Sequence, residues 1–234
     1  MLKAKQIICI EGNIGAGKSY LLAALKDKFQ TGKNVLFGPE VLFAPEPVEH
    51  FKEALLNGRL YSPLKNYYDD PHRYAFSSQL WFLECYKRQL EQLAKTSTAN
   101  SIVIMDRGIY STTIFVKCAY NQGLLQDFEK DFLLHVTENI IRDYFGENKF
   151  GVDKLYYLNT PVQRCKERIE ERKRFEEESM TSPRNYLRSL GELYDAYVKE
   201  FREQKGRNQV EVFFDENVNE ILRNFILFMD RFET

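Results

Sequence analysis

The feature that most constrains this chain is a glycine-rich segment near its N-terminus, where residues 12–19 read GNIGAGKS. The segment matches the pattern G-x-x-x-x-G-K-[ST] at Gly12, Gly17, Lys18 and Ser19. In this pattern the glycines let backbone N–H groups turn toward an anion, and the following helix adds its positive end. Lys18 reaches the outer phosphates and Ser19 can ligate magnesium. The sequence therefore predicts a strand, a loop that binds a nucleoside triphosphate, and a helix.

Five apolar segments rich in β-branched and aromatic residues predict buried strands. They are residues 6–11, 34–38, 101–106, 154–159 and 210–215. Helical stretches separate them, which is typical of a parallel sheet covered on both faces. We therefore expect an α/β fold with a five-stranded parallel sheet flanked by helices. Ligands of such sheets lie beyond the carboxyl ends of the strands.

Composition limits the classes of partner. The 234 residues, 44% of them hydrophobic, predict a single domain over 1–234. The 33 basic and 34 acidic residues nearly cancel, so we expect neither nucleic acid nor a membrane surface as a partner. The chain has no segment that reads as a targeting signal or a membrane span. Its four cysteines are far apart, which favours reduced thiols in a cytoplasmic protein.

Two further segments carry candidate catalytic residues. Asp106 and Arg107 end the third predicted strand, where Asp106 would hold magnesium and Arg107 would contact the phosphoryl group or the attacking hydroxyl. A solvated ion pair is the alternative. Glu46 is held extended by Pro47, and a fixed carboxylate there would accept a hydroxyl proton. The alternative for Glu46 is an exposed turn.

A charged helix is predicted from residue 161 to about 176. Thr160 is its predicted N-cap, and Gln163 would complete a capping box. Arg168 and Arg172 lie four residues apart on one face, and Arg174 follows. These arginines would stabilise charge on a phosphoryl group in transit. The alternative is a solvated helix with many salt bridges.

Taken in order, these segments resemble the deoxynucleoside kinases, the family of the deoxycytidine, deoxyguanosine and mitochondrial thymidine kinases and the insect multisubstrate enzyme. GNIGAGKS is similar to the family's phosphate loop, PEPV to the segment with the catalytic base, and DRGIYS to the E-R-S motif. RIEERKRFEE resembles the mobile, arginine-rich lid, expected over about residues 168–180. The resemblance implies a P-loop kinase, ATP and Mg²⁺ as cofactors, a deoxynucleoside as substrate, and a homodimer.

The resemblance also implies roles for individual residues. The catalytic group consists of Lys18, Glu46, Arg107, Arg172 and Arg174. The ATP-binding residues are Gly12, Asn13, Ile14, Gly15, Ala16, Gly17, Lys18, Ser19, Arg168 and Arg172. The metal ligands are Ser19 and Asp106. The substrate-binding residues are Glu46, Phe51, Tyr68, Gln79, Arg107, Thr112 and Glu177, with Phe115 as a further candidate. Within the middle helix, which resembles Y-x-x-P-x-R-[WY]-x-F-x-x-Q, Gln79 would read the base and Tyr68 the sugar 3′-hydroxyl.

Several positions depart from the family pattern. Asp106 stands where the family usually has Glu, and Gly108 stands where it has Ser. Tyr86 and Thr112 stand where the deoxycytidine kinase branch has an arginine and an aspartate. Because this charged pair is missing, we expect a pyrimidine deoxynucleoside as substrate, including thymidine.

Two other functions compete with this interpretation. A nucleoside monophosphate kinase of the thymidylate type would share the fold, but it needs an extra cation for the phosphate of its acceptor. A nucleotide-binding module without catalysis would share the loop. The presence of Lys18, Glu46 and Arg107 together argues against that module.

Overall fold

A computed structural model describes residues 1–31, 40–173, 183–214 and 218–229. The strands are β1 (Gln6–Gly12), β2 (Val41–Ala44), β3 (Ala54–Leu56), β4 (Arg59–Tyr61), β5 (Ile102–Asp106), β6 (Lys154–Leu158) and β7 (Val210–Phe213). The helices are α1 (Lys18–Thr31), α2 (Val48–Lys52), α3 (Pro63–Asp69), α4 (Pro71–Thr96), α5 (Ser111–Asn121), α6 (Asp127–Phe145), α7 (Val162–Arg172), α8 (Pro183–Lys205) and α9 (Val218–Met229).

The main sheet has five parallel strands in the order β2-β5-β1-β6-β7. The predicted five-stranded parallel sheet is therefore confirmed. Its β2 strand, Val41–Ala44, is one that the sequence analysis missed, because this short apolar run merges with the prolines after it. The segment predicted as a strand at 34–38 lies outside the described residues. A separate hairpin of β3 and β4 turns at Asn57 and Gly58, which both have positive φ, as type I′ turns require.

Helices cover both faces of the sheet. In β1, Ile8 and Ile10 face a core built with α1, α7 and α9, whereas Ile7 and Cys9 face a larger core built with α4, α5, α6 and α8. Successive strand residues point to opposite faces, so a strand with two buried faces is apolar throughout. This accounts for the continuous apolar segments by which the strands were predicted.

The amphipathic sequence at 72–95, 124–145 and 184–204 predicts three long helices. The structure has α4, α6 and α8 at these positions. The capping box lies at the start of α6, between Gln126 and Glu129. In the described ranges, no helix combines the length and the apolar character that a membrane crossing requires.

The predicted cap of α7 is wrong. The helix begins at Val162 and has no side-chain cap. The Thr160 hydroxyl instead donates to the carbonyl oxygen of Ala16 at 3.1 Å, and the Gln163 amide donates to Glu167. The Thr160 hydroxyl therefore binds the phosphate loop instead of capping the helix.

Candidate active site

A cavity of about 230 Å³ lies at the carboxyl ends of the strands. It is bounded by the phosphate loop, the segment after β2, helices α2 to α5, α7 and the first turns of α8. The predicted site residues that line it are Ile14, Gly15, Gly17, Lys18, Ser19, Glu46, Phe51, Tyr68, Gln79, Arg107, Thr112, Arg168 and Arg172, together with Phe115. One cavity thus joins the predicted phosphate site to the predicted acceptor site.

The conformation of the phosphate loop depends on its glycines. Gly12, Gly15 and Gly17 all have positive φ, at 147°, 79° and 100°. A Cβ on Gly12 would lie 2.6 Å from the carbonyl oxygen of Leu158, and one on Gly15 would lie 2.4 Å from that of Cys165. Any side chain at these two positions would push the loop away from β6 or α7. Gly12 itself is not part of the cavity lining.

Two other loop residues support the loop from behind. The Asn13 amide donates to the carbonyl oxygen of Leu187 at 2.6 Å, which ties the loop to α8. The carbonyl oxygen of Ala16 accepts from Arg168 Nη1 at 3.0 Å, which ties it to α7. Neither Asn13 nor Ala16 lines the cavity. The first-turn N–H groups of α1 lack helical partners, as in any helix, and are the donors available to a phosphate.

Buried charges lie at the base of the loop. Lys18 Nζ donates to the carbonyl oxygens of Gly12 and Asn13 at 3.2 and 2.8 Å, and burial lowers the pKa of Lys18 to about 8. Ser19 Oγ donates to Asp106 Oδ2 at 2.5 Å. Burial raises the pKa of Asp106 to about 6, although the Lys18 charge acts in the opposite direction.

The oxygens around Asp106 fit a magnesium ion. Its Oδ1 atom is buried and has no hydrogen-bond partner among the described residues, and Ser19 Oγ lies beside the same carboxylate. Oxygen ligands of this kind suit Mg²⁺, which keeps several waters and binds phosphates with one or two protein groups. Over the described ranges, no group of three acidic, histidine or cysteine side chains forms a metal cage by itself.

Arg107 occupies the centre of the site. Its Nε atom lies 3.0 Å from Glu46 Oε1, as an ion pair without the alignment of a hydrogen bond. The guanidinium lies 5.0 Å from the ring centre of Phe115. Burial by itself lowers the pKa of Arg107, but interactions with Tyr194, Glu46 and Glu11 raise it above its ordinary value. Arg107 therefore remains a cation, and Glu46 is its partner on the cavity side.

Helix α4 forms one wall of the acceptor part of the cavity. Gln79 is 2% exposed, and it lines the cavity. The Phe51 ring lies 4.5 Å from that of Phe82 and 5.8 Å from that of Tyr86, measured between ring centres. A buried amide thus lies next to an aromatic surface, an arrangement suited to a planar base.

Residues of α3, α5 and α8 also line the cavity. The Thr112 hydroxyl donates to the carbonyl oxygen of Ile109 at 2.7 Å and lies 3.3 Å from the Thr137 hydroxyl. Tyr67, which neighbours the predicted Tyr68, hydrogen-bonds to Tyr186.

Sequence reasoning missed Tyr67 and Tyr186. The family motif assigns a role only to Tyr68. The structure shows that the rings of both Tyr67 and Tyr68 line the cavity. Tyr186 lies on α8, far along the chain from the other acceptor residues, and no sequence motif marks it.

The predicted lid is described only in part. Arg168 and Arg172 line the cavity from α7, which ends at Arg172 and is followed by Lys173 in the left-handed region. The predicted residues Arg174 and Glu177 lie outside the described residues. Of the lid expected over about 168–180, the described part therefore ends at residue 173.

Comparison with known proteins gives one consistent family. The family model described as deoxynucleoside kinase matches residues 8–228. Deoxyguanosine kinase of Dictyostelium discoideum is 30% identical over 207 residues, covering 88% of this chain and 62% of that protein. A putative deoxynucleoside kinase of Frog virus 3 is 32% identical over 184 residues, covering 79% and 78%. Human mitochondrial thymidine kinase 2 is 29% identical over 197 residues, covering 83% and 64%.

The chain thus spans less than two thirds of the length of the Dictyostelium and human relatives. Among solved structures, deoxyadenosine kinase from M. mycoides with bound dCTP superposes with a TM-score of 0.70 at 21% identity, covering 96% of this chain and 99% of that one. At this sequence identity the similarity shows the fold alone. Because the family model spans residues 8–228, the chain belongs to the deoxynucleoside kinase family.

Proposed function

We propose that this protein transfers the γ-phosphoryl group of ATP to the 5′-hydroxyl of a deoxynucleoside. The observation that carries the proposal is the continuous cavity, which has the phosphate loop at one end and the buried Gln79 amide at the other. The Glu46–Arg107 ion pair lines the same cavity as Lys18 and Gln79. It belongs to neither the phosphate loop nor the base pocket. An acceptor hydroxyl beside Glu46 and a donor phosphate beside Lys18 would meet within one cavity.

The roles of the charged residues follow from in-line phosphoryl transfer. Glu46 accepts the proton of the attacking hydroxyl, and Arg107, 3.0 Å from Glu46 Oε1, positions the Glu46 carboxylate. Lys18 neutralises charge on the outer phosphates. Arg172, together with Arg174 beyond the described residues, would add positive charge from the lid as the phosphoryl group moves.

Ser19 and Asp106 would hold the Mg²⁺ ion that accompanies ATP. That ion neutralises charge on the β- and γ-phosphates when it is bound. The buried Asp106 carboxylate provides one oxygen without a hydrogen-bond partner among the described residues, which favours this role.

The acceptor pocket suggests how the nucleoside is held. Gln79 offers a donor and an acceptor to one edge of the base, and Phe51 packs against its face. Tyr68 contacts the sugar 3′-hydroxyl, and Glu177, outside the described residues, would contact the same group. Because the Gln79 amide lines the cavity, a bound base would pair with both its donor and its acceptor.

We further propose that pyrimidine deoxynucleosides, thymidine among them, are substrates. Thr112 donates its hydroxyl to a backbone carbonyl, and Tyr86 is buried among aromatic rings, so neither offers a charge to an exocyclic amine. A small neutral group at Thr112 also leaves room for a methyl group. Relatives named deoxyguanosine and deoxyadenosine kinase make purine deoxynucleosides the competing outcome.

A substrate panel tests the activity. Thymidine, deoxycytidine, deoxyadenosine and deoxyguanosine, and the four corresponding monophosphates, are each incubated with ATP and Mg²⁺, and kcat/KM is measured. Phosphorylation of deoxynucleosides supports the proposal. Phosphorylation of the monophosphates alone would instead indicate a thymidylate-type kinase, and absence of all turnover would indicate a binding module. A purine preference above about tenfold would overturn the pyrimidine assignment alone.

Substitution of Glu46 tests the mechanism. Glu46→Gln should lower kcat by roughly 10²-fold or more, the usual contribution of a positioned general base, and leave ATP affinity nearly unchanged. Glu49→Gln is the matched control, because Glu49 lies three residues further on, in the first turn of α2, where its exposed carboxylate pairs with Lys52. Near-normal kcat in Glu46→Gln would refute the role of Glu46 as the base.

We also propose that the protein forms a homodimer through one face of α4 and α6. On this face Leu80, Phe128 and Phe132 are 37%, 75% and 38% exposed. The Phe132 ring centre lies 6.0 Å from those of both Phe76 and Phe128. Apolar surface of this kind favours a partner.

Sedimentation of two variants tests the dimer. Phe128→Glu should yield monomers, whereas Leu60→Glu, at a similarly exposed apolar residue of the β3–β4 hairpin, should not change the mass. A monomeric protein without substitutions would refute this proposal.

The domain and compartment assignments rest on the fold and the cysteines. We infer one domain over 1–234, because elements from both halves of the chain build both cores of one sheet. Cys9, Cys85, Cys118 and Cys165 are all buried thiols. They support a reducing compartment such as the cytoplasm.

A further inference from the structure

A buried polar network contacts the Arg107 guanidinium outside the cavity lining. It contains Glu11, at the end of β1, and Tyr194, in the middle of α8. Glu11 is 1% exposed and Tyr194 is fully buried. Neither residue lines the cavity, and neither was predicted from the sequence as part of the site. Burying a carboxylate in this way is unfavourable unless it is paired, so its partners indicate what it does.

Glu11 binds the segment that follows β5. Its Oε1 atom accepts from the backbone N–H of Gly108 at 3.0 Å and from Ser111 Oγ at 2.5 Å. Its Oε2 atom lies 4.0 Å from Arg107 Nη1 and has no hydrogen-bond partner among the described residues. One oxygen thus holds the backbone around Arg107, and the other faces the guanidinium.

The backbone that Glu11 holds is strained. Arg107 has φ of +60°, in the left-handed region that residues with a side chain rarely adopt. Such a conformation persists only where the surrounding structure supports it. The Arg107 N–H donates to the carbonyl oxygen of Ile10 and the next N–H, that of Gly108, donates to Glu11. β1 therefore fixes the turn on both sides of the strained residue.

Tyr194 holds the other end of the same side chain. Arg107 Nη1 donates to the Tyr194 hydroxyl, and the side chain of Ser111 also hydrogen-bonds to Tyr194. Burial raises the pKa of Tyr194, so the hydroxyl remains neutral. Arg107, Tyr194, Ser111 and Glu11 form a closed ring of contacts that joins β1, α5 and α8.

We propose that Glu11 and Tyr194 are positioning residues that hold the Arg107 guanidinium against Glu46 and so set the rate of turnover. The inference rests on the proposed role of Arg107 in phosphoryl transfer. Without Tyr194 the guanidinium would lose its hydrogen-bond acceptor and move relative to Glu46. Without the Glu11 charge, Arg107 would lose the second of its two neighbouring carboxylates. A glutamine at position 11 would still accept the hydrogen bond from Gly108.

Tyr194→Phe removes only the hydroxyl. We expect kcat to fall about 10- to 100-fold, the effect of a small misplacement of a catalytic group, with KM for ATP and deoxynucleoside nearly unchanged. Tyr197→Phe is the matched control, because Tyr197 is also buried on α8 and packs on Tyr110 without a bond to Arg107. It should retain the original kcat.

Glu11→Gln gives an independent readout if Tyr194→Phe does not fold. The amide oxygen can still accept from Gly108 and Ser111, so a fall in kcat of similar size would arise from the lost charge. Each substitution is then combined with Arg107→Lys. If both residues act through Arg107, the combined variants should be no slower than Arg107→Lys alone.

Three results would overturn the inference or its basis. A kcat within about twofold of the original in Tyr194→Phe or Glu11→Gln would refute the role of that residue. Effects that multiply with those of Arg107→Lys would show a role unconnected with Arg107. An unchanged kcat in Arg107→Lys would instead refute the proposed role of Arg107, which separates failure of the mechanism from failure of the inference.

Discussion

Replacement of Asp106 by asparagine should make the ligand-free protein more stable. It should also reduce the stabilisation that the protein gains from ATP and Mg²⁺. Asp106 is 1% exposed, and burial raises the pKa of its carboxyl from the ordinary 3.8 to about 6. The two values differ by about two pH units, which corresponds to a cost of about 3 kcal/mol for the ionised folded protein. Asparagine has the same shape and can still bind the Ser19 hydroxyl, but it never ionises.

The sign of the pH dependence follows from proton binding. Between pH 4 and 6 the folded protein binds more protons at Asp106 than the unfolded chain does, so stability falls as pH rises through this range. Asparagine removes that loss. Near pH 4 and below, the two proteins should therefore converge, whereas at pH 8 the variant should unfold about 6–12 °C higher, given about 2–4 °C per kcal/mol for a chain of this length.

Calorimetry or thermal unfolding without nucleotide, at pH values from 4 to 8, measures this difference. Added ATP and Mg²⁺ should then stabilise the unsubstituted protein more than the variant, because the metal ion binds the ionised Asp106 carboxylate and offsets the cost of its burial. Parallel unfolding curves for the two proteins across the whole pH range would refute the argument from burial. An equal response to Mg²⁺ would refute Asp106 as its ligand.

Further substitutions test the lid, the phosphate loop and the acceptor wall. Arg172→Ala should lower kcat more than it weakens deoxynucleoside binding, because its charge matters during transfer, and unchanged turnover would make α7 a solvated helix. Gly15→Ala should cost more than about 2 kcal/mol of stability and most ATP binding, since its Cβ would lie 2.4 Å from a carbonyl oxygen of α7. Gly123→Ala, at positive φ in open space, should show only the backbone part of that cost. Thr112→Asp combined with Tyr86→Arg should lower kcat/KM for thymidine relative to deoxycytidine, and an unchanged ratio would exclude this wall as the determinant.

The sequence alone determined the features that depend only on residues close together along the chain. The loop at 12–19 carries its chemistry in its own backbone, so its glycines and Lys18 predict a phosphate site without any tertiary information. Buried parallel strands are apolar throughout, which revealed four of the five strands of the sheet. Because such strands end at one edge, the acidic residue that ends β5 and the loop after β1 were expected together.

Local patterns failed where a tertiary contact competed with them. Thr160 has the local sequence of a helix cap, but its hydroxyl binds the phosphate loop instead. The short β2 strand is held in the sheet by its pairing with β5, which is distant in sequence. Propensity is a weak guide for four residues, and the neighbouring strand decides their conformation.

The surroundings of the catalytic groups were decided only by the tertiary structure. Tyr186 and Tyr194 lie on one helix, yet one faces the acceptor cavity and the other binds Arg107 beneath it. Glu11 reads in sequence as the last polar residue of a strand, and only the packing of α5 and α8 on the sheet makes it a buried partner of Arg107. A sequence motif can identify a group that reacts, because its chemistry is intrinsic. The residues that hold it are chosen by proximity, which the folded chain alone creates.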